Sequence, residues 1–195
     1  MAELVFYYGS MGCSKSANAL MLRFQYLERG LKVWLIKPKT DTRDGEKIIK
    51  SRVGLEAEVD YLVDSDLLER LPKDTNLVIC DEAQFLSSLQ VDQLKQIAEE
   101  YNIPVYCYGL RTDFKTHLFE GSKRLFELCS KAIELESICS CGKPAIINGR
   151  FRDGKLVTDG EQIELGGNEM YKPLCYSCWK KIIKDEEHVP GIIEK

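Results

Sequence analysis

Apolar positions along residues 4 to 135 alternate between short continuous runs and a helical spacing. Short apolar runs are typical of buried parallel strands, whereas apolar residues three or four positions apart form one face of a helix. The runs predict strands at 4–8, 33–36, 77–80, 105–108 and 132–135, and the helical spacing predicts helices near 17–27, 91–101 and 119–128. Strands that alternate with helices predict an α/β fold whose mostly parallel sheet is flanked by helices.

The pattern changes after residue 136. Two close pairs of cysteines appear there, together with an Asp153-Gly154 dipeptide and a Gly166-Gly167 dipeptide. The first dipeptide is typical of a tight β-hairpin and the second of a turn. We therefore expect an α/β domain at 1–136, a small second domain at 137–183 and a loose charged tail at 184–195.

A phosphate-binding loop is predicted between the first strand and the first helix. Its eight residues are Gly9, Ser10, Met11, Gly12, Cys13, Ser14, Lys15 and Ser16. Such a loop binds phosphates through backbone N–H groups at the positive end of a helix. A lysine for the β- and γ-phosphates and a hydroxyl for Mg²⁺ complete it, and Lys15 and Ser16 supply both.

One position departs from the usual P-loop pattern, in which glycine precedes the lysine. Here that residue is Ser14. If the position requires a positive φ, serine adds strain of roughly 1 kcal/mol or more. Taken alone, the loop also permits a different interpretation, a polar turn between strand and helix that is capped by Ser14.

Two carboxylates, Asp81 and Glu82, follow the apolar run 77–80. In open α/β sheets, ligands bind at the carboxyl ends of the strands. An aspartate at such a strand end helps to hold Mg²⁺ in P-loop proteins, and the glutamate beside it is a candidate general base. The alternative is that one or both carboxylates cap the next helix or face solvent. The pair favours a kinase or an ATPase over a module that only binds phosphate.

The eight cysteines fall into two groups. Two close pairs late in the chain match a closed structural Zn²⁺ site, although the first pair has a one-residue spacer. These predicted ligands are Cys139, Cys141, Cys175 and Cys178. Free thiols or an unusual disulfide are the alternatives. The other four, which we expect to be small buried hydrophobic residues, are Cys13, Cys80, Cys107 and Cys129.

Composition and charge narrow the classes of protein to which the chain can belong. The chain has 195 residues, 44% of them apolar, and a net charge of -4. An acidic chain without a basic run is a poor candidate for binding nucleic acid. No apolar run approaches the roughly 20 residues that span a bilayer, and no basic segment precedes the first apolar stretch. The cysteine distribution does not suit a secreted disulfide scaffold, so we expect a cytoplasmic protein.

With the phosphate loop, Asp-Glu-Ala-Gln-Phe at 81–85 and the paired cysteines in this order, the chain resembles the cytosolic-type (type II) thymidine kinases. The resemblance is closest to the bacterial branch and covers residues 4–179. Further segments that carry it lie at 41–43, 109–114, 119–122 and 166–171.

The resemblance implies a RecA-like P-loop fold with a zinc-ribbon and lasso domain, and the transfer of a phosphoryl group from ATP to thymidine. Asp41 and Asp81 would support Mg²⁺, Arg43 would steady the transferring group, and Glu82 would be the base for the 5′-hydroxyl. The lasso backbone would read the thymine edge. The resemblance places these side chains in the nucleoside pocket: Met11, Phe85, Leu110, Phe114, Phe119, Asn148 and Tyr171.

A homotetramer and feedback inhibition by thymidine triphosphate are also implied by the resemblance. Deoxyuridine is a second expected substrate, because one methyl group provides only ~1–3 kcal/mol of discrimination. Two alternatives remain. One is a non-catalytic or weakened nucleotide-binding homologue, in which Ser14 has impaired the phosphate loop. The other is a zinc-containing nucleic-acid-binding module, which the net charge disfavours.

Overall fold

The computed structural model describes residues 1–41, 47–162 and 171–187. Its strands are β1 (Leu4–Gly9), β2 (Val33–Pro38), β3 (Ile48–Lys50), β4 (Glu56–Glu58), β5 (Tyr61–Val63), β6 (Leu77–Cys80), β7 (Val105–Leu110), β8 (Lys131–Glu134), β9 (Ile147–Arg152), β10 (Lys155–Leu156) and β11 (Tyr171–Leu174). Its helices are α1 (Lys15–Leu27), α2 (Ser88–Glu100), α3 (Glu120–Leu128) and α4 (Tyr176–Glu187), with a short 3-10 helix at Ala83–Phe85.

Six strands form the main sheet in the order β5-β2-β6-β7-β1-β8. Every neighbouring pair in this sheet is parallel, which confirms the predicted fold class. Because parallel strands end at the same edge, the carboxyl ends of β1, β6 and β7 lie side by side. The residues that follow β1 and β6 include those predicted to bind phosphate and metal, and the residues at the end of β7 include those predicted for the nucleoside pocket.

Apolar layers cover both faces of the sheet. One layer packs α2 and α3 against the strands, and it includes Leu94, Ile97 and Leu125. The other packs α1 and the β3–β4 hairpin against the opposite face through Leu20, Ile49 and neighbouring residues. The start of α2 has a capping box, in which Ser87 and Gln90 exchange side-chain to backbone hydrogen bonds. The central strands are thus buried on both faces, as their continuous apolar runs predicted.

All five strands and three helices predicted from the pattern are present, with bounds that differ by a few residues. The prediction missed β5 and the β3–β4 hairpin. These strands have three residues each, and the burial of β3 and β4 alternates with exposure, so neither produces an apolar run. The hairpin is nevertheless important, because its turn lies beside the phosphate loop.

A second, three-stranded antiparallel sheet follows β8 in the chain, in the order β10-β9-β11. The predicted Asp153-Gly154 hairpin is confirmed as the two-residue turn between β9 and β10. A small apolar cluster lies between this sheet and α4. The Gly166-Gly167 turn and residues 188–195 of the predicted tail lie outside the described residues. In the described ranges, no helix has the length and apolar character needed to cross a membrane.

Candidate active site and cysteine cluster

A cavity opens at the carboxyl edge of the main sheet. It brings together residues that are far apart in sequence: Met11, Gly12, Ser14, Lys15, Ser16 and Ala17 from the phosphate loop and α1, Asp41, residues 48–53 of the hairpin, Asp81, Glu82 and Leu110. Most of the predicted phosphate and metal residues therefore share one cavity. Gly9, Ser10 and Cys13 belong to the same loop but are not among the lining residues.

Lys15 is the first residue of α1 and is 8% exposed. Its ammonium group donates to the backbone oxygen of Ser10 over 2.8 Å and to the sulfur of Cys13 over 3.2 Å. The loop itself thus holds the charged end of Lys15 close to its own centre. The first N–H groups of a helix are not used within the helix, so the start of α1 also offers backbone donors beside this charge.

Ser14 adopts the left-handed conformation, with φ 63° and ψ 27°. The condition under which serine would add strain, a positive φ at this position, is thus met, and the strain is about 1 kcal/mol. Its side chain makes no capping hydrogen bond. The interpretation of the loop as a turn capped by this side chain is therefore wrong. The chain adopts a left-handed backbone at this position without glycine.

Asp81 is 2% exposed at the end of β6. Burial, together with the negative charge of Glu82, raises the pKa of Asp81 to about 7, although a hydrogen bond from Ser16 opposes the shift. An opposite charge favours the ionised form of a carboxyl group, so a cation bound beside Ser16 would lower this pKa again. Asp81 and Ser16 thus lie within hydrogen-bonding distance and offer two oxygen atoms of the kind that Mg²⁺ binds.

Glu82 is held in place by Gln84, a residue that the sequence reasoning did not single out. The side-chain nitrogen of Gln84 donates to Glu82 Oε2 over 2.5 Å, and its oxygen accepts from the backbone N–H of Leu110 over 3.0 Å. Gln84 is 1% exposed, and it approaches β7 so closely that a Cβ at Gly109 would lie 2.9 Å from its Oε1. Glu82 also has a left-handed backbone, with φ 52°. The hydrogen bond from Gln84 and the left-handed backbone of Glu82 thus orient its carboxylate together.

Asp41 lines the cavity and forms a buried ion pair with Lys37, at 3.4 Å. Lys37 is 1% exposed and also donates to the backbone oxygen of Ile48, which ties β2 to the hairpin. Sequence reasoning missed Lys37, although a lysine directly after an apolar run and before Pro38 was a usable signal. It also missed Arg52, a cation at the hairpin turn that lines the cavity near Gly12. Arg43 lies outside the described residues.

Five of the seven predicted nucleoside residues form an apolar cluster beside the cavity. Met11, Leu110 and Phe119 are buried in it, and Phe85 and Tyr171 pack against them. The rings of Phe85 and Phe119 meet edge to face, with centroids 5.6 Å apart. Met11 and Leu110 belong to both this cluster and the cavity lining. Phe114 is buried elsewhere, with its ring against the guanidinium group of Arg150.

Asn148, on β9, joins the second sheet to the phosphate loop. Its side chain accepts from the backbone N–H of Met11 over 2.7 Å and donates to the backbone oxygen of Thr112 over 2.8 Å. Ser10 makes a second link, because its hydroxyl shares a hydrogen bond with Ser137 and donates to the oxygen of Ala145. The small sheet is thus fastened to the loop and to the end of β7, which together border the cavity.

The four late cysteines lie together, with their sulfurs all within 4.8 Å of one another. Four ligands at 2.3 Å around a tetrahedral zinc would place the sulfurs about 3.8 Å apart, so the cluster fits this ion with little adjustment. All eight cysteines of the chain are free thiols, so the disulfide alternative is wrong.

Hydrogen bonds shift the pKa values of the thiols in this cluster. The backbone N–H of Cys141 contributes most to lowering the pKa of Cys139, to about 6, and the N–H of Cys178 lowers the pKa of Cys175. Hydrogen bonds with the neighbouring sulfurs, that of Cys141 first, raise the pKa of Cys178 to about 12. Backbone donors aimed at sulfur stabilise thiolates, which are the form that binds metal. The short first pair therefore includes a thiol that ionises readily.

The fold and the cavity define a P-loop nucleotide-binding protein of the α/β class. A sequence model described as thymidine kinase matches residues 2–179. The thymidine kinase of Enterobacteria phage T4 is 44% identical over 191 residues, which covers 94% of this chain and 98% of that protein. The thymidine kinase of Zymomonas mobilis is 43% identical over 182 residues, which covers 90% of this chain and 94% of that protein. The chain belongs to the thymidine kinase family.

A solved structure of the Pif1 helicase from Candida albicans covers 69% of this chain and 36% of that one, with 15% identity and a TM-score of 0.42. This similarity is too low to support any conclusion. The thymidine kinase of Vibrio cholerae, by contrast, is 40% identical and covers 94% of this chain and 99% of its own length. The family resemblance noted from the motifs is thus confirmed across almost the whole chain.

Proposed function

We propose that the protein transfers the γ-phosphoryl group of ATP to the 5′-hydroxyl of thymidine. One observation carries the proposal beyond family membership: Met11 and Leu110 line both the phosphate cavity and the apolar cluster. A nucleoside bound against that cluster would have its sugar directed at the cavity. Donor and acceptor would then meet beside Glu82.

The phosphate loop would bind the donor. Backbone N–H groups of the loop and the start of α1 would surround the phosphates, and Lys15 would exchange its contacts with Ser10 and Cys13 for the β- and γ-oxygens. Mg²⁺, when bound, would neutralise charge on the β- and γ-oxygens. Ser16, Asp81 and Asp41 are the residues that would hold it or its waters, and Arg43 would steady the transferring group.

Glu82 would act on the acceptor. Its carboxylate would take the proton of the 5′-hydroxyl as the new bond forms between that oxygen and the γ-phosphorus. The bond from the γ-phosphorus to the oxygen that bridges it to the β-phosphate breaks in line, and ADP leaves with the electron pair. Gln84 keeps the carboxylate oriented, since it is bonded to Glu82 and to the backbone of Leu110.

The nucleoside would lie against the aromatic residues of the cluster. Phe85 and Phe119 offer edges and faces for the base, with Tyr171 beside them. Asn148, and Phe114 through its contact with Arg150, would shape the surrounding wall. The lasso backbone would pair with the thymine edge. Fixed backbone donors and acceptors discriminate strongly, because a mismatched base leaves them unpaired. Deoxyuridine keeps that edge, so we propose it as a second substrate.

The cysteine cluster would hold a structural zinc ion. We propose that the cluster belongs to a small domain at 137–183, which follows an ATP-binding domain at 1–136. Residues 184–195 would form the tail. Reduced thiols throughout the chain fit a cytoplasmic location.

A homotetramer is the assembly that we propose. Closed tetramers commonly use two self-complementary interfaces. The outer face of α1 exposes Met21, Phe24 and Leu27, at 55%, 59% and 43%. The edge strand β8 is exposed along its whole length. A mass in solution of one chain would contradict the proposal. Thymidine triphosphate, as the proposed feedback inhibitor, should lower activity when it is added to the assay below.

The enzyme assay that tests the function measures ADP release dependent on thymidine and Mg²⁺. We expect the wild type and the Ser14→Gly variant to turn over within about threefold of each other, because Ser14 already has the left-handed backbone that glycine would adopt. The free energy of unfolding should also change little, because glycine relieves the strain but loses more conformational entropy on folding, and the two effects are of similar size.

Two results would separate this proposal from the weakened homologue. If the wild type shows no thymidine-dependent turnover and Ser14→Gly restores it, the serine has impaired the loop. If neither protein turns over thymidine while both bind ATP, the chain is a nucleotide-binding homologue without kinase activity.

A further inference from the structure

Among the residues that the structure describes, Arg150 is the largest fully buried side chain, at 1% exposure. It lies on β9, in the small antiparallel sheet, and is not among the residues that line the phosphate cavity. A buried guanidinium group is stable only when its donors find acceptors, because burying an unsatisfied charge carries a large free-energy penalty. The partners of Arg150 therefore show what the fold uses this charge for.

Those partners come from three separate parts of the chain. Arg150 Nε donates to the hydroxyl of Tyr171 over 2.8 Å, and its two terminal nitrogens donate to the backbone oxygens of Glu161, over 2.9 Å, and Gln162, over 3.2 Å. Its Cζ lies 3.8 Å from the centre of the Phe114 ring, a cation–π distance. One side chain thus contacts residues on both sides of 163–170 and a residue after β7.

A second set of bonds supports the same arrangement. Asp113 accepts from the side-chain nitrogen of Gln162 over 2.9 Å through one carboxylate oxygen. Its other oxygen accepts the backbone N–H groups of Lys115 and His117, which closes the turn after β7. Gln162 is therefore held by its backbone oxygen and by its side chain. The contacts that Arg150 itself makes depend on the flat, forked shape of its guanidinium group.

We propose that Arg150 is a positioning residue for the nucleoside, which fixes Phe114 and Tyr171 so that affinity for thymidine depends on it while phosphoryl transfer does not. The proposal rests on the proposed function. Lysine cannot replace arginine here, since its compact ammonium group cannot lie flat on a ring while it donates to three oxygens in different directions.

The test compares Arg150→Lys with the same change at Arg152, which is exposed on the same strand. We expect Arg150→Lys to raise the KM for thymidine about tenfold or more, while kcat and the KM for ATP stay within about threefold of wild type. This pattern is expected when a variant loses binding that the ground state and the transition state share. The thymidine dissociation constant, measured by calorimetry without ATP, should rise by the same factor. Arg152→Lys should leave all four values unchanged.

A second variant keeps the test decisive if Arg150→Lys does not fold. Tyr171→Phe removes only the hydroxyl that accepts from Arg150 Nε, and it should also raise the KM for thymidine. If both variants fold, their combination should be non-additive, because both disrupt one hydrogen bond. A loss of kcat with unchanged thymidine affinity, an equal rise in both KM values, or normal kinetics in either folded variant would overturn the inference. Absence of thymidine-dependent turnover in the wild type would instead overturn the proposed function.

Discussion

Glu82→Gln is expected to lower kcat by about 10²–10⁴-fold, with little change in the KM for thymidine or ATP. Glutamine has nearly the same shape as glutamate, and its side-chain oxygen can still accept from Gln84. The substitution therefore keeps the geometry beside Leu110 while it removes the group that takes the proton. Steady-state kinetics with each substrate varied in turn would measure the effect.

A matched control makes this result specific. Glu99 lies on the exposed surface of α2, paired with Lys95, and Glu99→Gln is the same chemical change away from the cavity. This variant should keep wild-type kinetics. If Glu82→Gln is as active as Glu99→Gln, the proton has another acceptor and the proposed role of Glu82 is wrong.

Loss of the cysteine cluster is expected to have the largest effect on stability. The buried core of the small sheet consists of Cys139, Ala145, Ile147, Leu156, Leu174 and Cys175. Two of these six residues are predicted metal ligands. Domains below roughly 70–80 residues seldom gain enough stability from an apolar core alone, and structural zinc contributes ~10–16 kcal/mol of apparent binding free energy in isolated zinc fingers. The small sheet should therefore depend on its metal.

Cys141→Ser tests this dependence. Purified wild type should contain about one zinc ion per chain, and the variant should contain far less, with a lower unfolding temperature and loss of thymidine kinase activity. Activity should fall because Asn148 and Arg150, which contact the walls of the pocket, lie on β9 of this sheet. Cys129→Ser, at a half-buried cysteine outside the cluster, should keep its zinc. Wild-type protein that is folded without zinc would contradict the prediction.

The phosphate end of the site could be predicted in most of its parts because each part is a short stretch of sequence. Lys15 and Ser16 begin the helix that a five-residue loop joins to β1, and Asp81 and Glu82 directly follow β6, so both pairs had to reach the carboxyl edge once the sheet was parallel. The turn at Asp153-Gly154 was likewise predicted from two adjacent residues. Such signals depend on spacing within one segment and do not require knowledge of what packs nearby.

The nucleoside end was less predictable, since its parts come together only in the folded chain. Phe114 and Phe119 were both assigned to the pocket wall from the family motifs, yet Phe119 joins the apolar cluster while Phe114 lies under a guanidinium group. Gln84 stood within a recognised motif, but its bond to Glu82 and its contact with the backbone of Leu110 depend on how closely the 3-10 helix approaches β7.

The sequence by itself determined the α/β class, the phosphate loop and the grouping of the cysteines into close pairs, because each follows from contiguous residues with a fixed period or spacing. It also marked Ser14 as unusual, but only the tertiary structure decided that the serine takes a positive φ. Arg150 and Arg152 show the same limit. They lie two residues apart on one strand, and no local pattern distinguishes the buried one from the exposed one. Burial depends on contacts with Phe114, Glu161, Gln162 and Tyr171, and those contacts exist only after the chain has folded.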